Sequence, residues 1–178
     1  MPPVNPHSPL LHQLSAPPSR VLLTGVMPQV TLSSVCTCFK LRGLARRVTQ
    51  LYDQALAPSG LTVTQYSVIG HARRKEGAPA PSVSELAHTL LTDRTTLTRN
   101  LKPLVDAGFI KIGSGADARS KAVRVTPRGE AAYQAARPLW KGAQMRLRDL
   151  TGQDQLDALH GLIEAILPQM EDVNQAAA

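Results

Sequence analysis

The sequence predicts a mainly α-helical fold with one small β-hairpin, and three observations lead to that prediction. Apolar residues recur every three or four positions through most of residues 38–172, which is the spacing of one helix face. Residues that favour helix N-caps stand before several of these stretches. Two short β-patterned segments, "FIKI" and "AVRV", are joined by the glycine-containing loop "GSGADARSK", an arrangement typical of a hairpin.

The start of the chain differs from the rest. Residues 1–30 are rich in proline and show no sustained periodicity, so we expect them to form a disordered arm. The first helix is predicted over residues 38–57, whose apolar positions follow an i, i+3, i+4, i+7 series. The segment "PSG", residues 58–60, is expected to end this helix.

Two further helices begin with the spacing of a capping box, in which a hydroxyl residue precedes a Glu or Gln by three positions. Thr62 and Gln65 are predicted to open a helix that runs to about Lys75. Ser82 and Glu85 are predicted to open the short helix "VSELAHTLL". The segment "EGAPAP" between the two helices is interpreted as a loop.

The next predicted helix is polar and threonine-rich, and either Thr92 or Asp93 is expected to cap it. Its apolar positions form one stripe, which consists of Leu97, Leu101, Leu104 and Val105. Pro103 is expected to bend the helix, because proline lacks an N–H and clashes with the carbonyl four residues before it. Gly108 is well placed to follow the helix in the left-handed conformation.

Two long helices are predicted after the hairpin. Thr126 caps the first of them, with Pro127 at its first position, and this helix is predicted to run to about Leu150. Thr151 with Asp154 is predicted to open the second. The apolar stripe of the last helix consists of Leu156, Leu159, Ile163, Ile166, Leu167 and Met170.

Composition and charge favour an anionic partner. The 178 residues are 43% hydrophobic, enough for a core, and carry a formal charge of +7. The segment from Arg94 to Arg128 holds eight cations and two anions, whereas anions exceed cations after it, so we expect the first to meet nucleic acid and the tail to face protein. Since no apolar run approaches the roughly 20 residues of a membrane span, we expect a cytoplasmic protein.

Two short helices followed by a hairpin with a basic tip describe a winged helix-turn-helix. In such a fold the leucine stripe packs inward, and the polar face can enter the major groove, where hydroxyls and guanidinium groups can reach phosphates and base edges. A basic wing tip would reach the adjacent minor groove. The candidate DNA-binding residues are Arg94, Thr95, Thr96, Thr98, Arg99, Asp117, Arg119 and Lys121. The alternative is an amphipathic helix with a solvated polar face beside a solvated turn.

Residues 38–172 resemble the MarR (multiple antibiotic resistance regulator) family. The resemblance rests on "SVSELAHTL", "DRTTLTRNLKPLVDAGFI" and above all "DARSKAVRVTPRG", which is similar to the family's wing and exit segment. It implies a family domain over residues 38–178, with a DNA-binding lobe over 62–126 and dimerisation helices over 38–57 and 127–173. It also implies a homodimer on palindromic double-stranded DNA, with recognition helices roughly 34 Å apart, and no catalytic residue, metal or cofactor.

The residues that could sense a signal are less defined. Cys38 lies near a helix N-terminus beside Lys40 and Arg42, a setting that favours a thiolate. The "CF" at Cys38 resembles the organic-hydroperoxide-sensing branch of the family, although this chain has Arg42 and Val63 where that branch usually has tyrosines. A redox switch at Cys38 and a small buried hydrophobic cysteine are both open at this point. Metal binding by Cys36 and Cys38 is disfavoured because no histidine is near.

A second route to regulation is a small aromatic or phenolic effector. The resemblance implies a crevice for it between the winged lobe and the dimerisation helices. The candidate lining residues are Arg46, Arg47, Tyr66 and His71. The sequence therefore predicts a repressor released from DNA by such an effector or by oxidation.

Two other functions stay open at this point. An enzyme with Cys38 as its nucleophile would need a nearby base, and no signature accompanies His71 or His88. A winged domain can also serve as a protein-interaction module, because fold alone does not determine function.

Overall fold

The structure, a computed structural model, describes residues 36–74, 78–115 and 120–176 of the chain, with side chains described as far as residue 170. These residues form α-helices, one short 3-10 helix over Ala57–Ser59 and a β-hairpin. The helices and strands are α1 Thr37–Leu56, α2 Val63–Ala72, α3 Val83–Thr89, α4 Arg94–Asp106, β1 Ile110–Ser114, β2 Lys121–Val125, α5 Pro127–Thr151 and α6 Gln153–Ala176. The mainly α-helical prediction is confirmed, while the predicted arm, residues 1–30, lies outside the described residues.

The two predicted capping boxes, at the starts of α2 and α3, are present. Gln65 N donates to Thr62 Oγ1 at 3.2 Å and Thr62 N donates to Gln65 Oε1 at 3.0 Å. Ser82 and Glu85 make the same reciprocal pair, with distances of 2.7 and 3.1 Å. Both capping boxes are therefore confirmed, because each satisfies N–H groups that the first helical turn leaves without a backbone partner.

Helices α2, α3 and α4 pack with the hairpin around one core. Its members are almost fully buried leucine, isoleucine and valine side chains, among them Ile69, Leu86, Leu97, Leu101, Leu104, Ile110 and Val123. The stripe predicted on α4 is confirmed at its three leucines. Val105 is an exception at 39% exposure, because it lies about 100° around the helix from Leu104 and so falls outside the packed face.

The hairpin is antiparallel, with Ile110 opposite Val125 and Ser114 opposite Lys121. Strand β2 is also tied to the segment before α3, since Val123 N donates to the Pro81 carbonyl at 2.8 Å. The wing is thus held against the same lobe that carries α4. Residues 116–119, which include Asp117 and Arg119, lie outside the described residues.

A tight joint connects this lobe to α5. Thr126 Oγ1 accepts a hydrogen bond from Gly129 N at 3.0 Å and donates to the Gly108 carbonyl at 2.7 Å. Gly108 has a φ of +71°, as predicted. Gly129 is buried, and a Cβ at that position would overlap the carbonyl of Phe109. The Thr-Pro-x-Gly sequence therefore lets the start of α5 approach the lobe closely.

The start of the last helix differs from the prediction. Thr151 does not cap it but ends α5, where its Oγ1 donates to the Leu147 carbonyl at 2.8 Å. Gly152, with a φ of +84°, makes the turn, and α6 begins at Gln153. The capping spacing was misleading because the glycine, which tolerates positive φ, fixes the break one residue later. Helix α2 likewise ends at Ala72, earlier than predicted.

Candidate nucleic-acid interface and effector cavity

The polar face of α4 is open to solvent. Its three leucines are at most 1% exposed and hold the helix against the lobe. The predicted DNA-binding residues on the opposite and flanking sides are all exposed, namely Arg94, Thr95, Thr96, Thr98 and Arg99. The structure thus brings these five predicted residues together on one accessible surface.

Asp93 fixes the beginning of α4. Its carboxylate accepts hydrogen bonds from Thr96 N at 2.8 Å and from Thr96 Oγ1 at 2.6 Å. The hydrogen bonds from Thr96 lower the pKa of Asp93 below its usual value because they favour the ionised form. Asp93, rather than Thr92, is therefore the cap, and it keeps its charge at neutral pH.

The threonines of α4 play different parts. Thr98 Oγ1 donates to the Arg94 carbonyl at 2.7 Å, and Thr96 Oγ1 donates to Asp93. These two hydroxyls can accept a hydrogen bond from a partner but have already used their own proton. Within the described residues, Thr95, Arg94 and Arg99 make no side-chain hydrogen bond or ion pair. The donors free for a ligand on this face are therefore chiefly the two guanidinium groups.

The C-terminal part of α4 is less available. Lys102 Nζ forms an exposed ion pair with Asp106 Oδ2 at 2.7 Å. The helix continues through Pro103 to Asp106, and the bend expected at Pro103 stays a prediction. The cationic surface of α4 is consequently concentrated in its first two turns.

The hairpin adds cations beside α4. Lys121 lies at the start of β2 and is exposed. Lys111 in β1 and Arg124 in β2 are also exposed, and they are opposite each other in the hairpin. Arg124 Nη2 donates to the Ser114 carbonyl at 3.1 Å, which directs this guanidinium along the hairpin. Sequence reasoning did not single out Lys111 and Arg124, although their matching places in "IKI" and "VRV" could have indicated the pair. Asp117 and Arg119 lie outside the described residues.

A cavity of about 420 Å³ lies between α2 and α5. Its wall is a stack of aromatic rings: the Tyr66 ring centroid lies 4.6 Å from that of Tyr133 and 5.8 Å from that of Trp140. Arg137 and Lys141 also line it and are exposed. Burial, followed by a hydrogen bond with Tyr133, raises the pKa of Tyr66, so its phenol stays neutral. An aromatic lining with cations at its edge suits an aromatic anion.

The predicted effector residues are divided between two places. Tyr66 and His71 line this cavity, and His71 Nδ1 is 2.8 Å from the Ser67 carbonyl oxygen. Arg46 and Arg47 are exposed on α1 and are not among the residues that line it. Sequence reasoning missed Tyr133 and Trp140, although their spacing of seven residues places both rings on one face of a helix.

Cys38 lies in the first turn of α1 and is exposed, as is Cys36 at the N-cap. A single chain therefore leaves this thiol uncovered, and both interpretations of Cys38, as a redox switch and as a small buried hydrophobic residue, stay predictions. Among the described residues, no group of three His, Cys, Asp or Glu side chains could hold a metal ion. Within the same part of the chain, no helix is both long and apolar enough to cross a membrane.

Comparison with known proteins places the chain among transcriptional regulators. Residues 59–120 match the model of the MarR family. The M. tuberculosis transcriptional regulator MosR, solved in complex with DNA, is 37% identical; the match covers 80% of this chain and 96% of the MosR chain, with a TM-score of 0.60. No curated protein sequence matches the chain.

The transcriptional repressor CouR is also similar, in two solved forms. CouR bound to a 23-mer DNA duplex has 28% sequence identity to this chain; the match covers 74% of this chain and 92% of the CouR chain, with a TM-score of 0.63. CouR bound to p-coumaroyl-CoA has 25% sequence identity; that match covers 74% of this chain and 91% of the CouR chain, with the same TM-score. The winged helix-turn-helix lobe, the long flanking helices and these matches agree, and the chain belongs to the MarR family of DNA-binding transcriptional regulators, which are not enzymes.

Proposed function

We propose that the protein is a homodimeric cytoplasmic repressor that binds a palindromic operator through the first two turns of α4 and the wing. The observation that carries this proposal is the exposed face of α4, on which Arg94 and Arg99 have no partner within the described residues. A guanidinium can donate two parallel hydrogen bonds to guanine or to a phosphate. Lys111, Lys121 and Arg124 on the wing would add contacts to the DNA backbone.

The dimer is supported by apolar surface that a single chain leaves uncovered. On α1 the exposed apolar side chains are Phe39, Leu41 and Leu44, and on α6 they are Leu162, Ile163, Ile166, Leu167 and Met170. Exposed apolar stripes on two long helices are typical of an interface between subunits. A second copy of the chain would cover them and place two lobes side by side, which matches two half-sites about one DNA turn apart.

The effector in this proposal is a small aromatic or phenolic acid that occupies the cavity between α2 and α5. Its ring would lie against Tyr66, Tyr133 and Trp140, and its carboxylate would meet Arg137 or Lys141. The CouR structure with p-coumaroyl-CoA supports a ligand with a phenolic ring, although the carboxyl group of that ligand is a thioester rather than a free carboxylate. A second signal, oxidation of Cys38, is favoured by one observation, the exposure of this thiol in the first turn of α1.

The proposed DNA contacts can be tested with operator fragments recovered by a pull-down of genomic DNA. We expect Arg94→Ala to weaken operator binding at least tenfold. The slope of log K against log salt concentration should also become shallower by about 1, because one cationic contact is lost. Lys102→Ala is the matched control, since Lys102 is already paired with Asp106, and it should change affinity much less. Unchanged affinity for both Arg94→Ala and Arg99→Ala would remove the proposal, and weak binding to every sequence would favour a protein-interaction role.

Release from the operator separates the two signals. We expect aromatic acids to release the wild type and Cys38→Ser equally, and we expect oxidant to release the wild type but not Cys38→Ser. Release of both proteins by oxidant would exclude this cysteine as the switch.

A further inference from the structure

Among the described residues, one ion pair connects the DNA-binding lobe to α5. Arg73, directly after α2, donates from Nε to Glu130 Oε2 at 2.7 Å and from Nη2 to Glu130 Oε1 at 2.8 Å. The other ion pair in the described residues, between Lys102 and Asp106, lies within one helix. The two parallel hydrogen bonds fix the guanidinium and carboxylate planes relative to each other, so this pair restricts orientation as well as distance.

Neighbouring side chains hold both members of this ion pair in place. The guanidinium carbon of Arg73 lies 4.4 Å from the centre of the Tyr133 ring, in the range of a cation–π contact. Gln134 Nε2 donates to Glu130 Oε1 at 2.8 Å and so holds the carboxylate on α5. Tyr133 in turn stacks on Tyr66 of α2, with their planes 8° apart. We call Arg73, Glu130 and Tyr133 the Arg73 clamp.

The backbone is adapted to this contact at Gly70. A Cβ at this position would lie 3.1 Å from Tyr133 Cε2, so the ring would have to move by a few tenths of an ångström to make room for it. The absence of a side chain at Gly70 therefore lets the Tyr133 ring lie against α2. Both helices therefore contribute to the clamp: α5 provides the Glu130 and Tyr133 side chains, and α2 provides room for the Tyr133 ring at Gly70.

The clamp is a second point of attachment for the lobe. The first is the joint at Thr126 and Gly129, where α5 begins. The joint and the clamp, together with the hydrogen bond from Val63 N to Asp53 Oδ1 of α1 at 2.7 Å, restrict rotation of the lobe relative to α5. Since α2 packs against α4 in the lobe, the clamp also fixes where α4 stands relative to α5.

We propose that Arg73, Glu130 and Tyr133 are positioning residues that set which half-site spacing the dimer accepts on DNA. This inference rests on the proposed dimer with two lobes on one operator. A tilt of about 10° over a lobe roughly 20 Å across would move α4 by about 3 Å, or one base-pair step. Both charged side chains are more than a third exposed, so the pair adds little to folding stability, and its main effect is on orientation.

The test measures preference for spacing rather than affinity alone. Duplexes carry the selected palindrome with its natural spacing, or with one base pair added or removed, and the wild type is expected to prefer the natural duplex at least tenfold. Arg73→Gln should reduce this preference at least fivefold. The matched control is Arg74→Gln, which removes the same charge from the neighbouring position and should keep the wild-type preference. Among the described residues, the Arg74 guanidinium donates to the His71 and Arg73 carbonyls and not to α5.

Two additional variants test whether the spacing preference depends on the orientation of the lobe or only on the charge at position 73. The reversed pair Arg73→Glu/Glu130→Arg should restore part of the preference, and Gly70→Ala, which keeps every charge, should reduce it. Thermal melting and light scattering check that each variant stays folded and has the wild-type mass. Equal spacing preference in Arg73→Gln and Arg74→Gln overturns the clamp alone. A wild type that binds single half-sites as a monomer overturns both the clamp and the proposed function.

Discussion

Trp140 gives the effector cavity its own probe. The chain contains one tryptophan, and its ring lies 5.8 Å from the Tyr66 ring in the cavity wall. A planar aromatic acid that enters the cavity should therefore stack near the indole and quench its fluorescence. We expect titration with salicylate or a hydroxycinnamate to give a saturable quench.

The same titration assigns the carboxylate contact. Arg137→Ala should raise the apparent Kd for the aromatic acid about tenfold, because a charge-assisted hydrogen bond is lost. Arg46→Ala is the control, since Arg46 is exposed on α1 and is not among the residues that line the cavity. If Arg46→Ala weakens binding and Arg137→Ala does not, the effector lies elsewhere.

Glu130 gives a second prediction for a single residue, this time on pH. Hydrogen bonds from Arg73, then from Gln134, hold the pKa of Glu130 below its ordinary value of 4.5. A carboxyl whose pKa is lowered by folding stabilises the native state above its unfolded pKa, and this stabilisation is lost as the pH falls through the folded pKa.

Glu130→Gln should therefore lower the free energy of unfolding at pH 7 by about 0.5–1 kcal/mol, a small value because water screens the half-exposed pair. The difference from wild type should shrink as the pH is lowered below the usual range of glutamate. Urea denaturation at pH 7 and at a pH below the usual range of glutamate measures this difference. Glu164→Gln is the control, because Glu164 is an exposed carboxylate that makes no ion pair among the described residues. A difference that stays constant with pH would contradict the prediction.

At the scale of elements, the joint before α5 should tolerate very little change. Gly129→Ala would place a methyl group against the Phe109 carbonyl, and the backbone would have to move, at a cost of about 1–3 kcal/mol. Gly142→Ala, within the same helix, meets nothing within 4 Å and should stabilise the protein by up to about 1 kcal/mol. Denaturant midpoints compare the two, and equal midpoints would show that the joint can relax.

The sequence predicts these elements well where the determinant is local. The boxes at Thr62 and Ser82 and the left-handed Gly108 depend on neighbours within a few residues, and all three are present. The prediction for the start of the last helix was wrong because two local signals competed. The glycine at position 152, which takes a positive φ, determined the boundary instead of the capping spacing from Thr151.

The candidate site was less predictable because it depends on contacts between distant segments. The exposed arginines of α4 follow from one helix period, so they could be found in the sequence. In contrast, Arg73 meets Glu130 across 57 residues, and the stack of Tyr66 on Tyr133 depends on how α2 packs on α5. No local pattern reports such pairings. The hydrogen-bond partners of the Thr96 and Thr98 hydroxyls could not be predicted from the sequence either, because a hydroxyl can donate to its own helix or to solvent.

At the scale of the whole molecule, the proposal depends on whether two chains join through α1 and α6. Ile163 lies in the middle of the α6 stripe at 40% exposure in the single chain, and its apolar neighbours on that face, Ile166, Leu167 and Met170, are also exposed. A charge placed among them would be buried without a partner in a dimer, which is strongly unfavourable. We therefore expect Ile163→Asp to shift the protein from dimer to monomer in sedimentation experiments.

Loss of the dimer should also weaken operator binding by at least a hundredfold, because each lobe would then bind its half-site alone without the gain from linkage. Ala165→Asp is the matched control, since Ala165 is exposed on the opposite side of the same helix, and it should leave mass and affinity unchanged. Helical content by circular dichroism should stay equal in the two variants, which separates dissociation from unfolding. If Ile163→Asp remains a dimer with wild-type affinity, α6 does not form the interface, and the lobes must be paired through another surface.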